Sequence, residues 1–473
     1  MTVIRARPTA VAGVEVPQRR ARPARLPSLP TVWLVAWVAV GTALRTWGLG
    51  SRPLNLDESF EALTARRAPA DLLPFLAHFD TAPPLSYLLR SPFLAVQATG
   101  TMARVPSAAC SVAALVLFAL WMRRRGILGM TATALFAVDG FVVHFGREGR
   151  MYAVLELVGV GAAMVCEAWL RSPRRRFLVA IAGIGLAGAF LHVEALILLV
   201  GVFTLPGLRR DREAWLWRGA VAAPMVVYAA AWGWALAIQR SHSHQPGRHT
   251  SPGAVVDVLG ALVTSSQALR LFAMVAVVAG AVPLVRRHSS LGRTWLACFA
   301  VPVAVTLLLA ARLDILLPRF FAYAAWAPLV TIAALVEVAA TRRAALGLIA
   351  GVVSLAFVLP AGVDSPGYAG PAAEAVWQLE RVTRPGDAVA VQPFWLGYLV
   401  EWNLGARRPI LTRPGSILGV DDVHVTQVPG GRPTARVWLL EPADATSTVV
   451  GATECAPEWT DGVSRLRCFQ RPP

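Results

Sequence analysis

Two adjacent carboxylates, Asp57 and Glu58, follow the first long apolar run of this chain, in Leu54-Asn55-Leu56-Asp57-Glu58-Ser59. Further on, Asp80 precedes a proline pair in Asp80-Thr81-Ala82-Pro83-Pro84-Leu85, with Tyr87 just behind. The prolines restrict the backbone and stop a helix, so they would hold Asp80 rigidly. A third constellation is Arg147-Glu148-Gly149-Arg150-Met151-Tyr152, and a fourth is Arg312-Leu313-Asp314 with Leu317-Pro318-Arg319-Phe320. A carboxylate can take a proton from a hydroxyl. Arginine can hold a phosphate by paired, charge-assisted bonds and stabilise it as it departs. Acids, arginines and a tyrosine together therefore suit a reaction between an anionic lipid phosphate and a hydroxyl nucleophile. Taken singly, each is equally well a solvated loop charge or a snorkelling arginine. The case rests on their falling together on one side of a membrane.

That side follows from the elements between them. Of the 473 residues 56% are hydrophobic and only 15% charged, against roughly 25% in ordinary soluble domains. Mean hydropathy is +0.54. This excludes a disordered chain, a disulfide miniprotein and almost any soluble enzyme, and leaves a polytopic α-helical membrane protein. Apolar runs cover 31–50, 105–121, 127–145, 153–170, 177–191, 194–208, 217–238, 268–285, 295–311, 320–339 and 344–361. That makes about eleven transmembrane helices, each near the length that crosses a bilayer. The interrupted run 85–98 reads as a helix at the interface. Residues 1–30 read as a disordered tail, lacking the apolar stretch of a cleavable signal.

The net charge of +17 is topology rather than a nucleic-acid footprint, and no nucleic-acid partner is expected. Arginines cluster in the tail and in alternate loops, at Arg123–Arg125, Arg174–Arg176, Arg209 and Arg210, Arg286 and Arg287, and Arg342 and Arg343. The positive-inside rule makes that side cytoplasmic. Segments 51–104, 146–152, 191–194, 239–266, 312–319 and everything after 361 then face outward. All four constellations lie there, and so does His192. Residues 362–473 recover prolines, glycines and charges and read as a small extracytoplasmic α/β domain, with a helix over 372–382 and strands over 388–392 and 436–440. Cys455 and Cys468 lie in it, and an exported compartment permits a disulfide between them. Cys110, Cys166 and Cys298 fall in spans, as small buried residues.

In order along the chain, Asp57-Glu58, Asp80-Thr81-Ala82-Pro83-Pro84-Leu85 with Tyr87, Arg104-Val105-Pro106-Ser107, Arg150-Met151-Tyr152 and Leu317-Pro318-Arg319-Phe320 resemble the motifs of the GT-C superfamily of membrane glycosyltransferases. They lie nearest its family 39, protein-mannosyltransferase-like branch of bacteria, and the resemblance covers about 31–340. Two departures are Phe320 where tyrosine is usual and Ala82 where histidine often precedes the prolines; His78 is a candidate substitute.

The resemblance implies a multi-pass plasma-membrane enzyme that moves a sugar, mannose by default, from a polyprenyl-phosphate donor to a glycan, glycolipid or protein acceptor with inversion. It implies Asp57 as general base with Glu58 and Asp80 beside it. Arg150 and Arg319 would hold the donor phosphate, supported by Arg147 and Tyr152, with Arg104, His192 and Tyr87 in further supporting places. No cofactor is required; Mg or Mn would suit the carboxylates, and the identity of any metal is left open. A secondary transporter or a non-catalytic membrane scaffold is the alternative. A transporter would show internal repeats and polar residues at the membrane midplane, and the sequence shows neither.

Overall fold

The structure is a computed structural model that describes residues 29–51, 54–79, 82–242, 251–313, 316–358, 373–384, 387–391, 399–400, 402, 424–427, 436–442, 453–460 and 464–470. Asp80, Asp314 and the first 28 residues lie outside the described residues. The amino-terminal part is a helical array. α1 (Leu29–Thr46) is followed by three short helices, α2 (Leu56–Ala65), α3 (Pro69–Phe79) and α4 (Leu85–Val96). α5 (Gly100–Met122), α6 (Gly126–Val138), α7 (Gly140–Arg147), α8 (Tyr152–Arg171), α9 (Arg175–Leu191) and α10 (Glu194–Phe203) come next. α11 (Arg212–His242), α12 (Pro252–Gly260), α13 (Arg270–Arg287), α14 (Ser289–Trp295), α15 (Val301–Leu313), α16 (Trp326–Arg342) and α17 (Ala344–Val358) complete the array. A tight 3-10 segment, Pro318–Ala324, leads into α16.

Every apolar run of the sequence falls on one or more of these helices, but their lengths differ. By length and composition, five helices among the described residues can cross a membrane, or up to seven if each bent pair is one span. The run 320–339 is bent by 66° before Trp326, and the run 127–145 by 47° at Asp139. α10 has ten residues, about 15 Å of helix against about 30 Å of hydrocarbon.

The bend at Asp139 has a visible support. Asp139 leaves helical geometry and its side chain accepts from the Val142 N–H at 2.9 Å, starting α7 afresh. The break releases carbonyls from the end of α6, and the fully buried Arg45 of α1 takes them. Its guanidinium donates to Phe136 O at 3.0 Å and Ala137 O at 2.8 Å, and also to Gly41 O at 2.9 Å and Ser111 Oγ at 2.8 Å. In a membrane each such group needs an internal partner, so one arginine stabilises the helix break that sets the direction of α7.

The carboxy-terminal part is a five-stranded sheet in the order β2-β1-β3-β5-β4, with β1 (Ala388–Val391), β2 (His424–Gln427), β3 (Arg436–Pro442), β4 (Thr453–Thr460) and β5 (Ser464–Gln470). Only β1 and β3 pair in parallel. α18 (Ala373–Val382) packs Ala375 and Leu379 against its core, matching the helix and strands read from the sequence. Cys455 on β4 and Cys468 on β5 form a disulfide. Leu56, the residue before Asp57, packs against this sheet core, and Trp402 packs back onto the helical core. The sheet thus touches the helix that carries the paired acids.

Candidate functional site

α2 separates the two adjacent acids. Asn55 caps the helix by accepting from the Glu58 N–H at 2.8 Å, and Glu58 Oε2 accepts from the Asn55 N–H at 2.9 Å. This reciprocal capping box turns Glu58 inward. There it takes a two-point grip from Arg104, Nε to Oε1 and Nη2 to Oε2, both 2.7 Å, and a third bond from the Gly149 N–H at 2.6 Å. Glu58 is 2% exposed and all its acceptor positions are engaged in structure. Asp57, one position earlier, turns out of the helix with its side chain 43% exposed.

Two arginines from distant parts of the chain close on Asp57. Arg319 Nη1 donates to Asp57 Oδ2 at 3.2 Å. Arg150 Nη2 lies 3.8 Å from the same oxygen and its Nη1 donates to the Asp57 carbonyl at 3.2 Å. In both arginines the Nε is buried and makes no hydrogen bond. A buried donor without a partner is costly, and the convergence of the two guanidinium groups on one carboxylate oxygen is the arrangement that suits an anion.

Each arginine is set by its surroundings. Arg150 follows the short loop after α7, and Ser107 Oγ donates to its carbonyl at 2.8 Å. Arg150 Nη1 also lies 3.3 Å from Glu61 Oε2, one turn beyond Asp57 on α2. Burial works against the charge of Arg150, but Glu61 and Asp57 more than offset it and hold its pKa well above the ordinary value. Glu61 is paired in turn with Arg90 of α4, which also donates to Ala103 O at 2.9 Å. Tyr87, one turn before Arg90, is fully buried and within electrostatic reach of Arg150. Arg319 rides on the 318–324 segment, which lies directly on α8. A Cβ at Gly159 would stand 1.7 Å from Tyr323 O, so no larger residue lets the two backbones meet this closely.

Among the expected residues, the structure brings Asp57, Glu58, Arg104, Arg150 and Arg319 into one cluster. Tyr152 adjoins it, with the Arg150 guanidinium 5.9 Å from its ring centre, and His192 lies one ring further, 6.3 Å from Tyr152. Arg147 ends α7 close to Gly48. His78 sits at the end of α3 with Nδ1 donating to Pro74 O at 2.8 Å. Among the described residues, no group of three or more His, Cys, Asp or Glu side chains is arranged to hold a metal.

Sequence reading left out Glu61 and Arg90, and gave Asn55 and Glu148, though inside its motifs, no role of their own. The spacing of Asp57 and Glu61, four residues apart on a helix, places them on one face and was a readable signal. Glu148 accepts from Asn55 Nδ2 at 3.2 Å. Burial pushes its carboxyl up to about 7, the neighbouring charges of Glu58 and Asp57 add to this, and Arg150 and Asn55 oppose it. An acid whose pKa rises on folding costs no stability while the unfolded chain also keeps the proton. The cost grows from about pH 4.5 and is complete above about pH 7. Glu148→Gln keeps the bond from Asn55 and removes the ionisation. It is expected to raise thermal stability at pH 8, by up to about 3 kcal/mol, and to change it little at pH 4.5. Thermal unfolding in detergent at the two pH values checks this; equal effects at both would show that Glu148 ionises freely.

No family of known sequences matches the chain, and no curated protein matches it in sequence. Among solved structures it is similar to ArnT from Cupriavidus metallidurans in the apo state, with a TM-score of 0.58 at 14% identity over 93% of this chain and 98% of that chain. It is also similar to ArnT from the same organism bound to undecaprenyl phosphate, with a TM-score of 0.55 at 15% identity over 93% and 98%. At such identity the likeness is one of fold. The shared fold is that of these ArnT structures.

Proposed function

We propose that this membrane protein is a glycosyltransferase that moves a sugar from a polyprenyl-phosphate donor to an acceptor hydroxyl, with inversion, on the outer face of the membrane. The observation that carries it is the convergence of Arg150 and Arg319 on the half-exposed Asp57, each with a buried, unpartnered Nε. The solved ArnT structure with undecaprenyl phosphate supports a lipid-phosphate ligand for this fold.

The two guanidinium groups bind the donor phosphate by charge-assisted hydrogen bonds, which releases the Asp57 carboxylate from its ion pairs. The acceptor oxygen attacks the anomeric carbon from the face opposite the phosphate. The bond from that carbon to the phosphate oxygen breaks and its electron pair leaves with the phosphate. Asp57 takes the proton of the acceptor hydroxyl, and Arg150 and Arg319 stabilise the charge gathering on the leaving group. Glu58 and Arg104 act by fixing the start of α2, and so the direction of Asp57. Asp80 is assigned to placing the acceptor. No step requires Mg or Mn. Mannose is the first sugar to try, and a glycan, a glycolipid and a protein are the acceptor classes.

The test is binding of undecaprenyl phosphate to the purified protein in nanodiscs, followed by transfer from sugar-bearing forms of that lipid. Saturable binding that is lost in the Arg150→Ala/Arg319→Ala double variant supports the reading. Absence of binding in the wild type would move the transporter and scaffold readings ahead.

The mechanism also fixes a side. With the arginine-rich loops inside, the N-terminus is cytoplasmic and the C-terminal sheet, which touches α2 through Leu56, is outside. Reporter fusions at residues 20 and 470 are expected to report opposite compartments. Equal compartments would mean an even number of spans and would separate the sheet from the site.

A further inference from the structure

A second polar group adjoins the arginine pair and takes no part in the chemistry above. His192 leaves α9 in extended backbone and Glu194 opens α10. They are only 6% and 4% exposed. Glu194 Oε2 stands 3.1 Å from His192 Nδ1 yet makes no well-formed hydrogen bond. The Tyr323 hydroxyl and Thr306 Oγ1 on α15 are buried beside each other, within reach of a mutual contact but with no well-formed hydrogen bond. Tyr323 and Tyr152 are both within electrostatic reach of Glu194.

Buried hydroxyls and carboxylates without partners are rare, because each costs about 1–3 kcal/mol. Three poorly satisfied groups together, on α10, α15 and the 318–324 segment, would be satisfied by a ligand rich in hydroxyls. The connection to the lipid-phosphate arginines is direct. Tyr152 lies between Arg150 and His192, at 5.9 Å and 6.3 Å, and Tyr323 follows Arg319 by four residues on the same tight segment. A sugar ring joined to a phosphate held by Arg150 and Arg319 would present its other substituents a ring's width away.

The geometry points to Glu194, Tyr323 and Thr306, with His192 behind Glu194, as the subsite that reads the donor's sugar. This rests on the lipid-phosphate reading of the arginine pair. A buried carboxylate accepts from a sugar hydroxyl or an ammonium group and repels a carboxylate. The sugar class is therefore a neutral or amino sugar, and uronic acids are excluded by like charge. The competing account is purely structural. His192 Nδ1 also lies 3.4 Å from the Glu194 amide, and the pair would then only pin the break between α9 and α10.

The experiment measures affinity in nanodiscs for four probes: bare undecaprenyl phosphate, and the same lipid phosphate bearing a neutral hexose, an amino sugar or a uronic acid. In the wild type the hexose or the amino-sugar form is expected to bind about tenfold or more tighter than the bare lipid, and the uronate no tighter than the bare lipid. Glu194→Gln and Tyr323→Phe are each expected to reduce that gain by about tenfold, and Glu194→Gln to relax the exclusion of the uronate. Affinity for the bare lipid stays at the wild-type value in both variants, which also reports that the site is folded. Retention of the full sugar gain in both variants overturns the subsite while leaving the lipid-phosphate reading intact. An equal loss for all four probes assigns the pair to the helix break and overturns the subsite as well. Failure of the wild type to bind the bare lipid overturns the lipid-phosphate reading, and the subsite with it.

Discussion

Asp57→Asn is expected to lower sugar transfer by about 10²–10⁴-fold with expression, folding and donor binding retained, the range typical of losing a general base. The size of the effect follows from its placement. Asp57 is the acid of α2 that faces outward, and its carboxylate is held by arginines that a phosphate would draw away. Asparagine keeps the shape and still accepts from Arg319, so the fold has little to lose. Glu58→Gln is the contrasting variant. It weakens a buried two-point ion pair with Arg104 and the capping box together, so its damage appears first as lost thermal stability. Transfer from a polyprenyl-phosphate sugar, assayed on variants matched for folding, separates the two. Near-normal transfer by Asp57→Asn, with transfer abolished in Asp80→Asn, would place the base at Asp80.

The different behaviour of these neighbours shows what the sequence made legible. Adjacency suggested a pair of acids acting together. The spacing Asn55-Leu56-Asp57-Glu58 also carried a capping box, and that pattern decides which of the two turns inward. The motif Arg104-Val105-Pro106-Ser107 resolves in the same way. Arg104 grips Glu58 and Ser107 holds the backbone of Arg150, so both residues set the site without facing a ligand. The pairing of Glu61 with Arg90 spans 29 positions and depends on how α2 meets α4. Neither periodicity nor composition reports such a meeting. Hydropathy located the apolar helices, but it could not show that the runs at 127–145 and 320–339 are bent, because the bends depend on Asp139 and Arg45 and on the contact of Gly159 with Tyr323. Strands and helix of the C-terminal sheet were visible from turn residues and alternation. Its contact with Leu56 was not.

Arg150 and Arg319 point at one oxygen and are expected to fail differently when removed. Arg319 is 35% exposed and, among the described residues, forms its ion pair with Asp57, a half-exposed acid. Arg319→Ala therefore leaves stability within about 1 kcal/mol of wild type. It removes one charge-assisted contact to the donor phosphate, and affinity for undecaprenyl phosphate falls by roughly 10–100-fold. Arg150 is largely buried and faces Glu61, whose carboxylate is itself buried and shared with Arg90. Arg150→Ala loses the same phosphate contact and also leaves part of a buried charge unmatched, at a cost of about 3–5 kcal/mol. The double variant Arg150→Met/Glu61→Gln discriminates the two losses. It also takes the counter-charge from the buried Arg90, so thermal stability falls further than in Arg150→Ala while lipid-phosphate affinity stays at the Arg150→Ala value. Thermal unfolding and undecaprenyl-phosphate binding on the same nanodisc preparations read both quantities. Unchanged affinity in Arg319→Ala would move the phosphate away from Asp57 altogether. Recovery of affinity in the double variant would make Arg150 a partner of Glu61 alone and leave Arg319 as the phosphate ligand.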